Sequence, residues 1–392
     1  MSREVAGRAR TVARALGRRA RGAGRAARDA RRGNRRRDDG ARRRRDRDAA
    51  VGSFFGRDDA EQWLAAGDGA SDDSTSTSVT SIDESLAELT KRRRGLTLFE
   101  REMDKEDEDD VDLLACACYV AAHANPDVDV EEVRREIDAC AALVRRRLDA
   151  DVDARFPLRT MKTISRAWST DLGFKGNVEN YYEVENSCVD DVLRRRVGIP
   201  ITLCLIYMEI AKRVGVDMVD VGIPGHLLCR PLADGMEVLV DPFNQGDVLF
   251  IEEVEDILSK NSLFGEGGKV QIERSFLQET KIRKKAFLTR MLMNLKSIYF
   301  AREDYERALQ ITEYMMACNP YDSLRTPLVR TMGVLYFKTE RWMDALETFT
   351  SLSASDVDAE IEAYVEHIRR VLALEKDVVG DEKEKNDDDE FV

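Results

Sequence analysis

Residues 186–244 read NSCVDDVLRRRVGIPITLCLIYMEIAKRVGVDMVDVGIPGHLLCRPLADGMEVLVDPFN, and four elements follow from that stretch. Pro200 suits the first turn of a helix, where its missing N–H would have no partner anyway. From it Leu203, Tyr207, Ile210 and Val214 recur at helical spacing, while Cys204, Met208 and Ala211 fill an adjacent stripe. A helix apolar on two stripes is a buried helix. Gly215 supplies its left-handed stop. Three β-rich runs follow, Met218–Ile223, Leu227–Arg230 and Met236–Val240, with Asp234-Gly235 as a hairpin turn between the last two. His226 opens one strand after the Pro224-Gly225 turn, and Asp241 closes its neighbour. The hairpin is expected to bring an imidazole and a carboxylate together beside the start of the buried helix.

That arrangement resembles the transglutaminase-like core, in which a Cys at the N-terminus of a buried helix is activated by a His and an Asp on following strands. The wording is closer to the bacterial SirB-type transglutaminase-like proteins with tetratricopeptide repeats. GFKGNVENYYEVENSCVDDVLRRRVGIPITL (173–203), VGIPGHLLCR (221–230), VLVDPFNQGDVL (238–249) and LTRMLMNLKSIYFAREDYERAL (288–309) look like that family's blocks. The resemblance covers roughly residues 109–372. It implies an α+β fold: an N-terminal helical layer, a papain-like core with a buried helix and a short antiparallel sheet, and C-terminal tetratricopeptide-like hairpins.

Around this centre the chain is uneven. Residues 1–50 carry nineteen Arg against six acidic groups, a net of +13, so the remainder holds −26 within a total of −13. An Arg-rich, acid-poor start resembles a transit segment for a plastid or mitochondrion; the other readings are a nucleic-acid-binding arm and a solvated tail in a cytoplasmic protein. No aromatic interleaves these Arg residues before Phe54, which weakens nucleic-acid binding through stacking. Residues 51–110, with SDDSTSTSVTS at 71–81, read as an acidic, Ser-rich disordered linker holding at most one short helix near 81–90. Glu209 interrupts the longest apolar run, so no membrane span is expected.

The helical layer and core are placed at 111–280. Helices are expected over 112–126, 130–148, 156–168 and 250–258, with a loop at 263–268. Tyr299, Ala308 and Leu309 recur as Tyr336, Ala345 and Leu346, a spacing of 37. This is close to the tetratricopeptide period of about 34, and residues near Asn319-Pro320 accommodate the difference. The repeats are placed at 281–375, with a final helix near 359–374 and an acidic disordered tail at 376–392.

The seven Cys form no C-x-x-C pair, which argues against a zinc site or a disulfide frame. Cys116, Cys118 and His123 read as packing residues, and no metal or cofactor is expected. His226 and Asp241 are the candidate relic pair of a nucleophile–base–orienter triad. Their structural alternatives are a hydrogen-bonded His and an Asp capping the DPFN turn. The family's Cys lies about fifteen residues before the helix-ending Gly, and counting back from Gly215 lands on Pro200, which has no nucleophile.

Four other groups stand near. Thr202 lacks a thiol's acidity, and Cys204 lies a turn deeper in an apolar stripe, where burial raises its pKa. Alternation turns Cys229 away from His226, and Cys188 sits in a helix-start context. Thr202 and Asn244 are candidate binding residues. His226 is expected to bond the Ile199–Thr202 turn. Two functions stay open: a non-catalytic module holding a protein or peptide partner, and a thiol-dependent transglutaminase, deamidase or peptidase using a repositioned Cys204 or Cys188.

Overall fold

The computed structural model describes residues 79–223, 226–232, 236–260, 272, 274, 280–318 and 322–388. The Arg-rich segment, residues 71–78 of the Ser-rich run, the turns at 224–225 and 233–235, the loop at 263–268, Asn319-Pro320 and residues 389–392 lie outside them.

The first helix corrects the expected linker. α1 spans Val79–Met103, and a short 3-10 turn covers Glu108–Asp110. Leu96, Phe99 and Met103 recur at i, i+3 and i+7 and are buried, so one stripe suffices to seat a helix whose other faces are polar. α2 (Leu113–Ala121) is buried along almost its whole length and starts where Asp112 caps the Ala115 N–H at 2.9 Å. α3 (Val130–Ala150) turns Val133, Ile137, Cys140, Ala141 and Val144 inward. α4 (Pro157–Arg166) has Pro at its first position and runs into a wider π turn, Ala167–Asp171.

Two short strands, β1 (Lys175–Gly176) and β2 (Val197–Gly198), pair in parallel. Between them lies α5 (Val189–Arg195), ended by Arg196 in the left-handed conformation at φ 59°. α6 (Pro200–Arg213) is the central helix, with all but three of its fourteen residues buried. It packs on α3, α5 and the first two strands of the main sheet.

That sheet is β3 (Met218–Ile223), β4 (His226–Pro231), β5 (Val238–Asp241) and β6 (Asp247–Phe250), in sequence order and antiparallel throughout. β6 is an addition to the three expected strands. It forms because the tight turn through Gln245 (φ 60°) and Gly246 (φ 76°) returns the chain onto β5. Leu227, Cys229 and Val240 join the large core with α6, whereas Val221, Leu228, Leu239 and Leu249 form a second cluster with Ile251 and Val254 of α7 (Ile251–Lys260). The two faces follow strand alternation.

Four helices form two hairpins: α8 (Lys284–Ala301) with α9 (Tyr305–Cys318), and α10 (Arg325–Lys338) with α11 (Trp342–Thr350). The spacing of 37 is visible in their backbone. Glu303 and Glu340 are both left-handed, at φ 58° and 57°. The next N–H groups, of Asp304 and Arg341, bond Tyr299 O at 3.0 Å and Tyr336 O at 2.9 Å. Ala308 and Ala345 are both fully buried. α12 (Ala359–Asp388) crosses most of the stretch expected as a disordered tail. Its Glu- and Lys-rich continuation favours helix despite its charge.

Candidate functional site

Two strand ends and one loop place the site. The β4–β5 register pairs Cys229 with Val240, which brings the start of β4 level with the end of β5. His226 Nε2 and Asp241 Oδ2 are 2.9 Å apart, and both side chains are almost fully buried. Asp241 also does what a turn-capping Asp does. Its Oδ1 accepts the Phe243 and Asn244 N–H groups at 3.1 and 3.2 Å, and its Oδ2 takes the Asn244 amide at 2.7 Å. Burial pushes the Asp241 pKa up, but the His226 charge and the bonds from His226 and Asn244 outweigh it and hold the carboxyl below its ordinary value. The two readings of Asp241, orienter and cap, are therefore one arrangement.

The wall beside the imidazole is aromatic. Phe243 meets the His226 ring edge-to-face at a centroid separation of 5.8 Å, and Tyr181 packs on Phe243 at 6.3 Å. Phe243 itself is fixed from behind. Its carbonyl accepts the Gly176 N–H at 3.0 Å, and the preceding Pro242 carbonyl accepts Trp168 Nε1 at 3.0 Å. A Cβ on Gly176 would stand 2.5 Å from the Phe243 ring, so only glycine admits that ring.

From Gly176 the structure leads to the helix start. Asn177 N donates to Gly198 O at 2.9 Å, and Gly198 precedes the Ile199-Pro200 entry into α6. A pair of buried Asn side chains braces this loop. Asn177 Nδ2 donates to Asn186 Oδ1 at 3.0 Å, and Asn186 Nδ2 donates to the carbonyls of Asn180 and Tyr181 at 2.7 and 3.1 Å. Sequence reasoning passed over Asn177, Asn186 and Phe243. The recurrence of Asn in GNVENYYEVEN was the available sign, since short amides in a turn-rich stretch often bond backbone.

The other sequence candidates fall as follows. Pro200 occupies the first position of α6, and Ile199 before it offers no side-chain cap. Thr202 is fully buried, with no partner for its hydroxyl among the described residues. The expected bond from His226 to the Ile199–Thr202 turn is absent; the ring bonds Asp241 through Nε2 and meets Phe243 edge-to-face. Asn244 is committed to Asp241. Cys204 Sγ points to Leu227 O at 3.4 Å, and Cys229 Sγ to Val240 O at 3.7 Å. Cys188 occupies the N-cap position of α5 without a side-chain cap bond and is buried. Burial raises the thiol pKa of both Cys188 and Cys204 well above the ordinary value. Among the described residues no sulfur is hydrogen-bonded to His226, and no cluster of His, Cys, Asp and Glu has the geometry to hold a metal ion.

Residues 131–293, which contain every one of these groups, match the family described as the Transglutaminase-like superfamily. A UPF0162 protein of Xylella fastidiosa (strain 9a5c) is 30% identical over 221 residues, covering 56% of this chain and 75% of that protein. The chain belongs to the UPF0162 family of transglutaminase-like proteins. A UPF0162 protein of Vibrio cholerae is 26% identical over 218 residues, 54% of this chain and 74% of its own. F-box only protein 21 of Pongo abelii is 25% identical over 308 residues, spanning 69% of this chain but 46% of that protein. No solved structure matches. Among the described residues no helix is long and apolar enough to cross a membrane.

Proposed function

We propose that this chain is a non-catalytic transglutaminase-like protein that has kept the base and its orienter, lacks the nucleophile, and serves as a protein- or peptide-binding module. The observation that carries the reading is the residue at the head of α6. A proline ring fills the first position of α6, the helix that packs on β3 and β4. Attack requires nucleophile and base in near contact. The buried thiols of Cys188 and Cys204, with their raised pKa, support the same reading. In it the pair persists for structure: the carboxylate anchors both the imidazole and the 241–244 turn.

The finer assignment is to the SirB-type branch, with the two C-terminal hairpins as tetratricopeptide-like repeats offering a partner surface. The Arg-rich residues 1–50 fit an import signal for a plastid or mitochondrion, which N-terminal sequencing of the native protein tests. For the central claim, the purified chain is incubated with an amine donor, a glutamine-containing acceptor and a generic peptide. No turnover is expected. Turnover abolished by replacing a single Cys would make the protein a thiol enzyme and identify its nucleophile.

A further inference from the structure

The apolar stripe that seats α1 continues past the buried part of the helix. Leu96, Phe99 and Met103 are buried, while Leu89, two turns before Leu96 on the same stripe, is 54% exposed and Leu86 is 61% exposed. Beside Leu89 a cavity of about 260 Å³ opens between α1, the end of α2 and α9, lined also by Arg92, Arg93, Leu96, His123 and Tyr314. Its surface is almost wholly apolar. Two of its polar side chains are already engaged. His123 bonds Val120 O at 2.6 Å and Tyr299 OH at 2.7 Å, and Tyr314 OH donates to Tyr119 O at 2.7 Å. Burial lowers the His123 pKa to about 4, so that ring is neutral. Such a lining suits an apolar occupant.

The helix beside the cavity is basic, since Lys91–Arg94 is a run of four cations. Lys91 pairs with Asp127 and Arg92 with Glu88, but Arg93 reaches Glu313 only at 4.0 Å, and Arg94 has no ion pair among the described residues. The sequence that leads into α1 carries the matching chemistry. Residues 58–68 read DDAEQWLAAGD, with four acidic groups and no base. Trp63 and Leu64 within it are the only large apolar side chains between Phe55 and Val79. Leu89 and Leu96 lie roughly 15–25 Å along α1 from Val79, at 1.5 Å per residue. Residues 65–78, AAGDGASDDSTSTS, separate Leu64 from Val79. A Gly- and Ser-rich chain of that length spans about 20 Å root-mean-square. A tether whose mean length matches its span gives the highest effective concentration, in the millimolar range. That compensates for the weak hold of a cleft smaller than the roughly 300–1,000 Å³ of small-molecule sites.

We infer that this chain covers its own cleft: Trp63 and Leu64 seat against Leu89 and Leu96, and Asp58, Asp59 and Glu61 answer the charges of Arg93 and Arg94. The inference is independent of how the His226 site is read. A separate partner of the cleft must first displace this segment. To test it, the full chain is labelled with 5-fluorotryptophan, and its three indole fluorine signals are followed by NMR as a neutral gadolinium chelate is added. Trp63→Phe assigns the signal of Trp63. That signal should broaden severalfold less than the indole of a free peptide of residues 57–69. The protection should persist on about tenfold dilution, because a tether is indifferent to concentration. Leu89→Glu should remove it. Asp58→Asn, Asp59→Asn and Glu61→Gln together should weaken it, as should 1 M salt, where the screening length falls to about 3 Å. Unmoved Trp168 and Trp342 signals report that the Leu89 variant is folded, and the triple variant leaves α1 and α9 untouched. A Trp63 as exposed as the peptide's leaves the cleft to a separate partner, and protection lost on dilution gives it to a second copy. Either result overturns the proposal, as does protection that survives either set of substitutions.

Discussion

Asp241 holds His226 with one oxygen, at 2.9 Å from Nε2, while its other oxygen gathers the Phe243 and Asn244 N–H groups. A single buried carboxylate thus fixes a ring and a turn together. Its pKa is depressed in the folded state, so its contribution to stability is complete above the unfolded carboxylate value of about 3.9 and is lost as pH falls through the lower folded value. Asp241→Asn is expected to destabilise by roughly 1–3 kcal/mol at pH 6 and to flatten the fall in urea midpoint between pH 6 and pH 3. An equally steep fall in the Asn variant would show that the acid sensitivity comes from elsewhere.

His226→Ala leaves Asp241 Oδ2 with only the Asn244 amide, a cost of about 1–3 kcal/mol. Cys204→Ala, by comparison, removes a buried sulfur with a single weak contact to Leu227 O and should cost packing alone. If the purified His226 variant is as stable as the parent, the pair has no structural role and its persistence calls for another account.

All seven thiols are buried, and burial disfavours the thiolate at Cys188 and Cys204. An aromatic disulfide reagent at neutral pH should therefore modify the native chain slowly and reach all seven sulfurs only in denaturant. Rapid, stoichiometric labelling of one native thiol, lost on substituting Cys188 or Cys204, would sink the nucleophile-free reading.

Ala308 and Ala345 occupy equivalent positions 37 residues apart, each fully buried within its hairpin. Leucine at either site should overpack the crossing and cost about 1–3 kcal/mol. Denaturation curves that leave both variants at the parent midpoint would remove the equivalence.

Glu303 and Glu340 share the left-handed backbone that opens the second helix of each hairpin. Glycine relieves the Cβ strain there but gives back some unfolded-state entropy, so each replacement should gain about 1 kcal/mol or less. The two gains should be of similar size and additive, as measured by thermal unfolding. A loss at either position would mean that its side chain does more than tolerate the turn.

The central helix was legible in the sequence because Leu203, Tyr207 and Ile210 repeat at helical spacing after a proline. The strand run from His226 was legible because a Pro-Gly pair precedes it and the Asp-Gly dipeptide follows. Asp241 could be placed beside His226 from those signals alone. α1 was hidden for a physical reason. Its buried stripe of Leu96, Phe99 and Met103 is diluted by the basic run Lys91–Arg94 and by the polar stretch before it. β6 was missed because its pairing depends on Gln245 adopting a positive φ, which its residue type does not announce. The bond expected from His226 to the helix start did not form, and the ring's edge-to-face neighbour Phe243 was not foreseen because it read as part of a turn signal.

Gly176 and Phe243 carry a consequence for how this site tolerates change. A methyl carbon on Gly176 would stand 2.5 Å from the Phe243 ring and would have to displace it. The ring's forward edge already bears on His226. A single carbon added at position 176 would therefore be felt fifty residues later, relayed through one aromatic ring to an imidazole it never touches. The site behaves as a three-part mechanical stop, and its alignment is set by the one member that has no side chain.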